Sequence, residues 1–329
     1  MDVLNTTGGE CLAAPVKDKS GRDILAVVLQ YTFAVGPRGA VELDPEGEPP
    51  RLVDTYWGKD PLTSSIRHPG QLFEHKPGTD VILLGHAVPR GSVSHVDVSL
   101  RVGPVQKTVR AHGLRVFQKG SLGGIAPGPA LRMHEPVPLI YELAWGGADY
   151  ADPERPVAEP RNYVGRGVAR DPRTLVGTPA PQLESLEGPT VPASFGALHR
   201  HWEPRVRFAG TYDEPWQETK MPLLPDDFDD RYNVGPAADQ WSQAPLRGTE
   251  PFEIVGATPE GTWAFQLPRL APGFASVIQG TRVEHRTHLD GILIDADLRR
   301  VELLFRAAVP LPRKYEMLEH VLVFEKRVT

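Results

Sequence analysis

Proline and glycine set the tightest limits on what this chain can fold into. It holds 34 prolines and 32 glycines among 329 residues, about one residue in five, against roughly 12% in average usage. Both residues are poor in helix interiors. Yet hydrophobic residues make up 40% of the sequence, too many for a disordered chain. Together these facts predict short strands joined by many turns and by long ordered loops. The expected fold class is mainly β: sandwich or barrel-like antiparallel sheets with long ordered loops and a few short helices. The length is ample for a sizeable core.

Strand patterns are clear at both ends. "ILAVVLQYTFAV", Ile24 to Val35, is rich in β-branched and aromatic residues, and "GPRG" then turns it back into "AVEL". "DVILLGHAV" is a short apolar run between turn signals. In "VDVSLRVG", Val96, Val98, Leu100 and Val102 alternate with Asp97, Ser99 and Arg101, the mark of a half-buried strand. "VQKTVRAHGLRVFQ" continues as one bent strand or two, with Gly113 at the bend. Near the C-terminus, "FEIVGATPEGTWAFQL" and "GILIDADLRRVELLFRAAVP" read as hairpins, the second with Val301, Leu303 and Phe305 opposite Glu302, Leu304 and Arg306. Pro312 is placed to start a short helix with Tyr315, Leu318 and Leu322 near helical spacing.

Between these lies a loop-rich stretch. The organisation reads as a β-rich region 1–130, a loop-rich region 131–248 and a β-rich region 249–329, with Gly248 the best break; one core or two is left open. Trp145, Tyr150, Tyr163, Leu175, Leu183 and Phe195 punctuate the loops and are expected to pin them. "PRVRFAG", Pro204 to Gly210, alternates like a strand. Asp213 is placed to cap a short helix, "EPWQETK", that Pro222 stops.

The bulk properties remove several function classes. Net charge is −6, and the sequence lacks the basic run of a nucleic-acid binder. One cysteine, Cys11, allows neither an internal disulfide nor a Cys-rich metal site, and it sits near a start expected to be mobile. The N-terminal sequence does not follow the pattern of a signal peptide, and no apolar run is long enough to span a membrane. A calcium loop starting at Asp227 fails at its fifth, sixth and twelfth positions, which are Arg231, Tyr232 and Ala238. His199 and His201, with Glu203, fit a metal site on a strand, but a helical turn would splay them, and structural or surface histidines are the favoured reading. Neither a Gly-x-Ser-x-Gly elbow nor a phosphate loop is present in the sequence.

The order of segments carries a further signal: "DVLNTT", "GRDILAVVLQYTFAV", "RLVDTYWG", "SSIRHPGQLFEHKPGTDVILLGHA", "PLIYELAWGG", "EPRNYVGRG" and the block from Phe195 to Gln240. This order resembles, over nearly the whole chain, a bacterial domain-of-unknown-function family encoded beside type VI secretion genes. The resemblance implies a non-enzymatic cytoplasmic adaptor or chaperone that helps load effectors onto the secretion spike. Its expected partners are a VgrG-like spike, a PAAR cap or an effector protein. It carries over no catalytic residue, cofactor or metal.

Within that block, Tyr212, Asp213, Trp216, Asp226, Asp227, Phe228 and Tyr232 are the expected protein-binding residues, the aromatics as anchors and the acids as steering charges. The rival reading is a hydrolase or carbohydrate-acting enzyme using carboxylates in the central loops, marked by a pocket with two carboxyls whose pKa values are shifted. A secreted structural part of the spike is a third.

Overall fold

Asp23–Val35 is apolar along almost its whole length, so it needs cover on both faces. In the computed structural model, which describes residues 2–120 and 123–326, it lies inside a seven-stranded sheet. The order is Trp241–Ser242, Thr79–Leu84, His288–Asp295, Arg300–Pro310, Asp23–Val35, Glu10–Lys17, with Val41–Leu43 also paired to Asp23–Val35. All neighbours are antiparallel except Thr79–Leu84 and His288–Asp295. The fold is mainly β, as the turn-rich composition predicts.

The inner face of this sheet presents Leu25, Val27, Leu29, Tyr31, Val81, Leu83, Ile292, Ile294, Leu303 and Phe305. A five-stranded sheet packs against it through Val98, Leu100, Val109, Phe252, Ile254 and Trp263. A four-stranded sheet adds Phe274, Leu318, Val321 and Val323 to the same core. The result is sandwich-like. Strand pairing crosses the break near Gly248: Pro251–Val255 lies antiparallel beside His95–Val102. No helix among the described residues is long and apolar enough to cross a membrane.

Most strand expectations hold, and the exceptions have physical causes. Gly113 separates two strands, Val105–His112 and Phe117–Lys119. The expected helix after Pro312 is only the turn Tyr315–Met317, followed by the strand Leu318–Glu325. Helical spacing of Tyr315, Leu318 and Leu322 loses to the β-branched pair Val321 and Val323. A bulge opposite Val277–Ile278 then brings Leu318 to the same face, although it stands three positions, an odd number, before Val321. Cys11 sits on the edge strand Glu10–Lys17, where burial pushes its thiol up to about 12; it is not in a mobile start.

The expected strand Pro204–Gly210 is a 3-10 turn, Arg205–Phe208, with its faces inverted: Arg205 is buried and Val206 exposed. Arg205 goes inside because its guanidinium donates to the carbonyls of Leu198 and Tyr232. A buried cation needs such partners. Of the six expected loop anchors, Leu183 and Phe195 are fully buried, Trp145, Tyr163 and Leu175 are partly buried, and Tyr150 is 62% exposed.

Candidate functional site

The outer face of the main sheet carries polar and charged residues that two long loops bury. The strand Arg300–Pro310 alternates Glu302 and Arg306 outward, a pattern that reads as a solvent face. Both are buried instead. In the strand His288–Asp295, Asp290 is the extra residue of a β-bulge, between Leu289 opposite Phe305 and Gly291 opposite Leu304. The bulge brings its carboxylate to Arg306, at 2.7 Å from Nε. Arg306 also donates to the carbonyls of Gln71 and Phe73 and to Gln71 Oε1, with its guanidinium 3.8 Å from the centre of the Phe73 ring. Lys76 lies 3.0 Å from Asp80 and 3.9 Å from Asp290. Two cations thus face two anions in a buried layer that fastens the 71–77 loop to the sheet.

The second loop is the platform 195–240. Gln240 Nε2 donates to the carbonyls of Val81 on the sheet and Phe195 in the loop, at 2.9 and 2.8 Å. The amide of Gly235 donates to Asp80 Oδ2 at 2.9 Å, joining the platform to the ionic layer. Trp202 is 1% exposed and packs edge-on to Tyr141, with ring centres 5.7 Å apart. His199 is buried beside Trp202, and its Nε2 meets the carbonyl of Ser64 at 2.8 Å. The His201 ring lies tilted against it, with centres 4.7 Å apart, while Glu203 pairs with Arg207 at 2.5 Å. These three groups therefore serve the packing of the platform.

The seven residues singled out in the sequence divide into three roles. Phe228 and Tyr232 meet edge-on at 5.7 Å, with Phe228 buried as an inward anchor. Asp213, Asp226 and Asp227 hold the loop itself. Asp213 caps the helix Glu214–Thr219 by accepting from the Trp216 amide at 3.0 Å. Asp226 pairs with Lys220 at 2.5 Å, and Asp227 accepts from the amide and hydroxyl of Thr211 at 2.9 and 2.7 Å. Tyr212 and Trp216 form the rim. Their rings meet edge-on at 4.7 Å, and Trp216 Nε1 donates to the Leu223 carbonyl at 2.9 Å. Beside them, Met221 is 65% exposed and Tyr212 48% exposed. The product is an apolar ledge on a fixed base.

A family model described as "uncharacterized protein conserved in bacteria", DUF2169, matches residues 20–306. The chain belongs to this bacterial family. The DUF2169 span holds the ledge, the platform and the whole ionic layer, ending at Arg306 itself. The strands Asp2–Asn5, Glu10–Lys17 and Leu318–Glu325 lie outside it. No curated protein and no solved structure matches the chain.

The DUF2169 core also encloses a polar cavity of about 200 Å³ on the outer sheet face, bordered by Thr32, Arg51, Arg67, His68, Asp295 and Glu302. Burial raises the pKa of both Asp295 and Glu302. The register sets Leu293 opposite Glu302 and Asp295 opposite Arg300, so Asp295 and Glu302 are diagonal neighbours on one face, with Cα atoms roughly 7–8 Å apart. Arg51 holds Glu302 at 3.1 Å, and Asp295 accepts from the Leu298 amide at 2.9 Å. Sequence reasoning missed this cavity because the carboxyls occupy strand positions that look solvated.

Burial, and then Arg51 and Arg67, push His68 down to about 3; burial and Arg115 bring His112 to about 4. Unfolded imidazoles titrate near 6.5. Between these limits the unfolded chain binds more protons. Stability is therefore retained above pH 6.5 and falls as pH drops toward the folded values. Asp80, Asp295 and Glu302, raised by burial, act in the opposite sense. Thermal melting of a His68→Asn variant isolates the histidine part: its loss of melting temperature between pH 7 and pH 5 is expected to be smaller than that of the wild type.

Proposed function

We propose that this protein is a non-enzymatic, cytoplasmic adaptor or chaperone that helps load effectors onto a type VI secretion spike. Its partner is a spike, PAAR-cap or effector protein, bound through the ledge of Tyr212, Trp216 and Met221. The observation that carries a binding role is the exposure of Tyr212 and Met221 beside the partly buried Trp216, on a base held by the Asp213 cap and the bond from Trp216 to the Leu223 carbonyl. Exposed aromatics on a pre-organised support lose little entropy on binding and suit an interface anchor. The secretion context rests on the resemblance in segment order. Affinity capture of the tagged protein from its native bacterium, followed by mass spectrometry, tests the reading. Recovery of a spike, cap or effector supports it. Recovery of the protein alone, under conditions that preserve known complexes, opposes it, and its appearance among secreted proteins would make it a spike component instead.

The polar cavity favours a second reading, hydrolysis by the Asp295–Glu302 pair. Paired carboxyls with raised pKa values suit acid–base work on a glycosidic bond. We rank it second because Arg51 and the Leu298 amide already engage both groups. A screen of the purified protein against glycosides, with an Asp295→Asn/Glu302→Gln control, separates the two.

A further inference from the structure

The strand Thr281–His285 forms one edge of the four-stranded sheet, and four of its five residues are exposed. Its hairpin partner is Pro272–Ile278, joined through Gln279 and Gly280 at φ 49° and 74°. Two positive φ values mark a type I′ turn, which closes on a hydrogen-bonded pair, here Ile278 with Thr281. Hydrogen-bonded and non-hydrogen-bonded pairs then alternate. Val283 and His285 therefore bond inward to Ser276 and Phe274. The amides and carbonyls of Arg282 and Glu284 point outward, and among the described residues no hydrogen bond reaches them from beyond the strand.

Charges on an open edge ordinarily block pairing with other chains. Here the two charges have opposite sign and stand two residues apart, on the solvent face of the sheet. There Arg282 covers Phe324 at 4.5 Å and Glu284 pairs with Lys326 at 3.0 Å. An antiparallel strand that sets an acid opposite Arg282 and a base opposite Glu284 complements both charges. A second copy of this chain does so.

We propose that the Thr281–His285 edge pairs with itself across a two-fold axis centred on Val283, giving a homodimer with a continuous sheet. In this register Arg282 stands opposite the second copy's Glu284, and both such pairs exchange N–H and C=O bonds. The exposed Val283 side chains meet at the axis. Registers centred on Arg282 or Glu284 would set like charges opposite each other. The contact is isologous, so it closes as a dimer. It lies on a strand edge rather than on the loop and helix that carry the ledge, and its outcome does not depend on the adaptor reading.

Sedimentation equilibrium of the full chain tests it. The wild type is expected to dissociate reversibly from dimer to monomer on dilution. Arg282→Glu and Glu284→Arg each create like-charge pairs and are expected to weaken association by at least about tenfold. The double exchange Arg282→Glu/Glu284→Arg reverses both charges and is expected to restore it. A monomeric wild type at every concentration, single reversals that leave association unchanged, or a double exchange that stays as weak as the singles would each overturn the proposal.

Discussion

Asp290→Ala is expected to lower unfolding free energy by about 3–5 kcal/mol, because removing one partner strands a buried charge. Asp290 and Arg306 are 0% and 3% exposed at the side chain. Without Asp290, Arg306 keeps only neutral partners, the carbonyls of Gln71 and Phe73 and the Gln71 amide oxygen. Lys76 keeps Asp80 but loses its more distant anion. Chemical denaturation followed by far-ultraviolet circular dichroism reads the change as a lower midpoint. A paired apolar exchange, Asp290→Leu/Arg306→Met, removes both charges. It is expected to cost less than either single change, since desolvating an ion pair largely cancels its attraction. A double variant worse than both singles would show that the layer's hydrogen bonds, rather than the stranded charge, dominate.

Trp202→Ala is expected to cost a similar amount, about 3–5 kcal/mol, the usual range for emptying a buried tryptophan site. The indole fills the space between Tyr141 and His199, and the Trp202 carbonyl accepts from the Val206 amide at 3.0 Å. The backbone bond survives the substitution; the packing does not. The consequence is local as well as global. His199 loses its neighbour, and the platform loses its aromatic contact with Tyr141 while keeping the Gly235 and Gln240 bonds to the sheet. Hydrogen exchange should quicken first in residues 195–240, before the main sheet opens. Equal quickening throughout would mean that the platform and the sheet unfold as one unit.

The sequence made the strands legible wherever alternation was unbroken. His95–Val102 alternates as read, and the hairpin Pro251–Val255 with Thr262–Gln266 buries Trp263 and Phe265 on one face. Reading failed where a bulge changed the count. The extra residue at Asp290 and the register shift near Leu318 each move a side chain to a face that period-two spacing does not assign. The ionic layer was hidden for another reason. Its members come from a loop near residue 76 and from distant strands, and Glu302 and Arg306 look like solvated positions until loops cover them. Of the ledge, the Asp213 cap and the Phe228 anchor were readable from local chemistry. The internal use of Asp226 and Asp227 was not, because Lys220 and Thr211 reach them through loop geometry that no spacing rule encodes. Arg205 shows the same limit, since two backbone carbonyls, absent from any side-chain pattern, draw it inside.

The most direct test of the central claim is the affinity of a captured spike, cap or effector protein for wild-type and Tyr212→Ala/Met221→Ala protein, measured by calorimetric titration. Both side chains are exposed, so the variant should melt with the wild type. A loss of at least about 2 kcal/mol, roughly thirtyfold in Kd, is expected, as for interface anchors. Unchanged affinity in a normally folded variant would contradict it and place the binding surface elsewhere on the molecule.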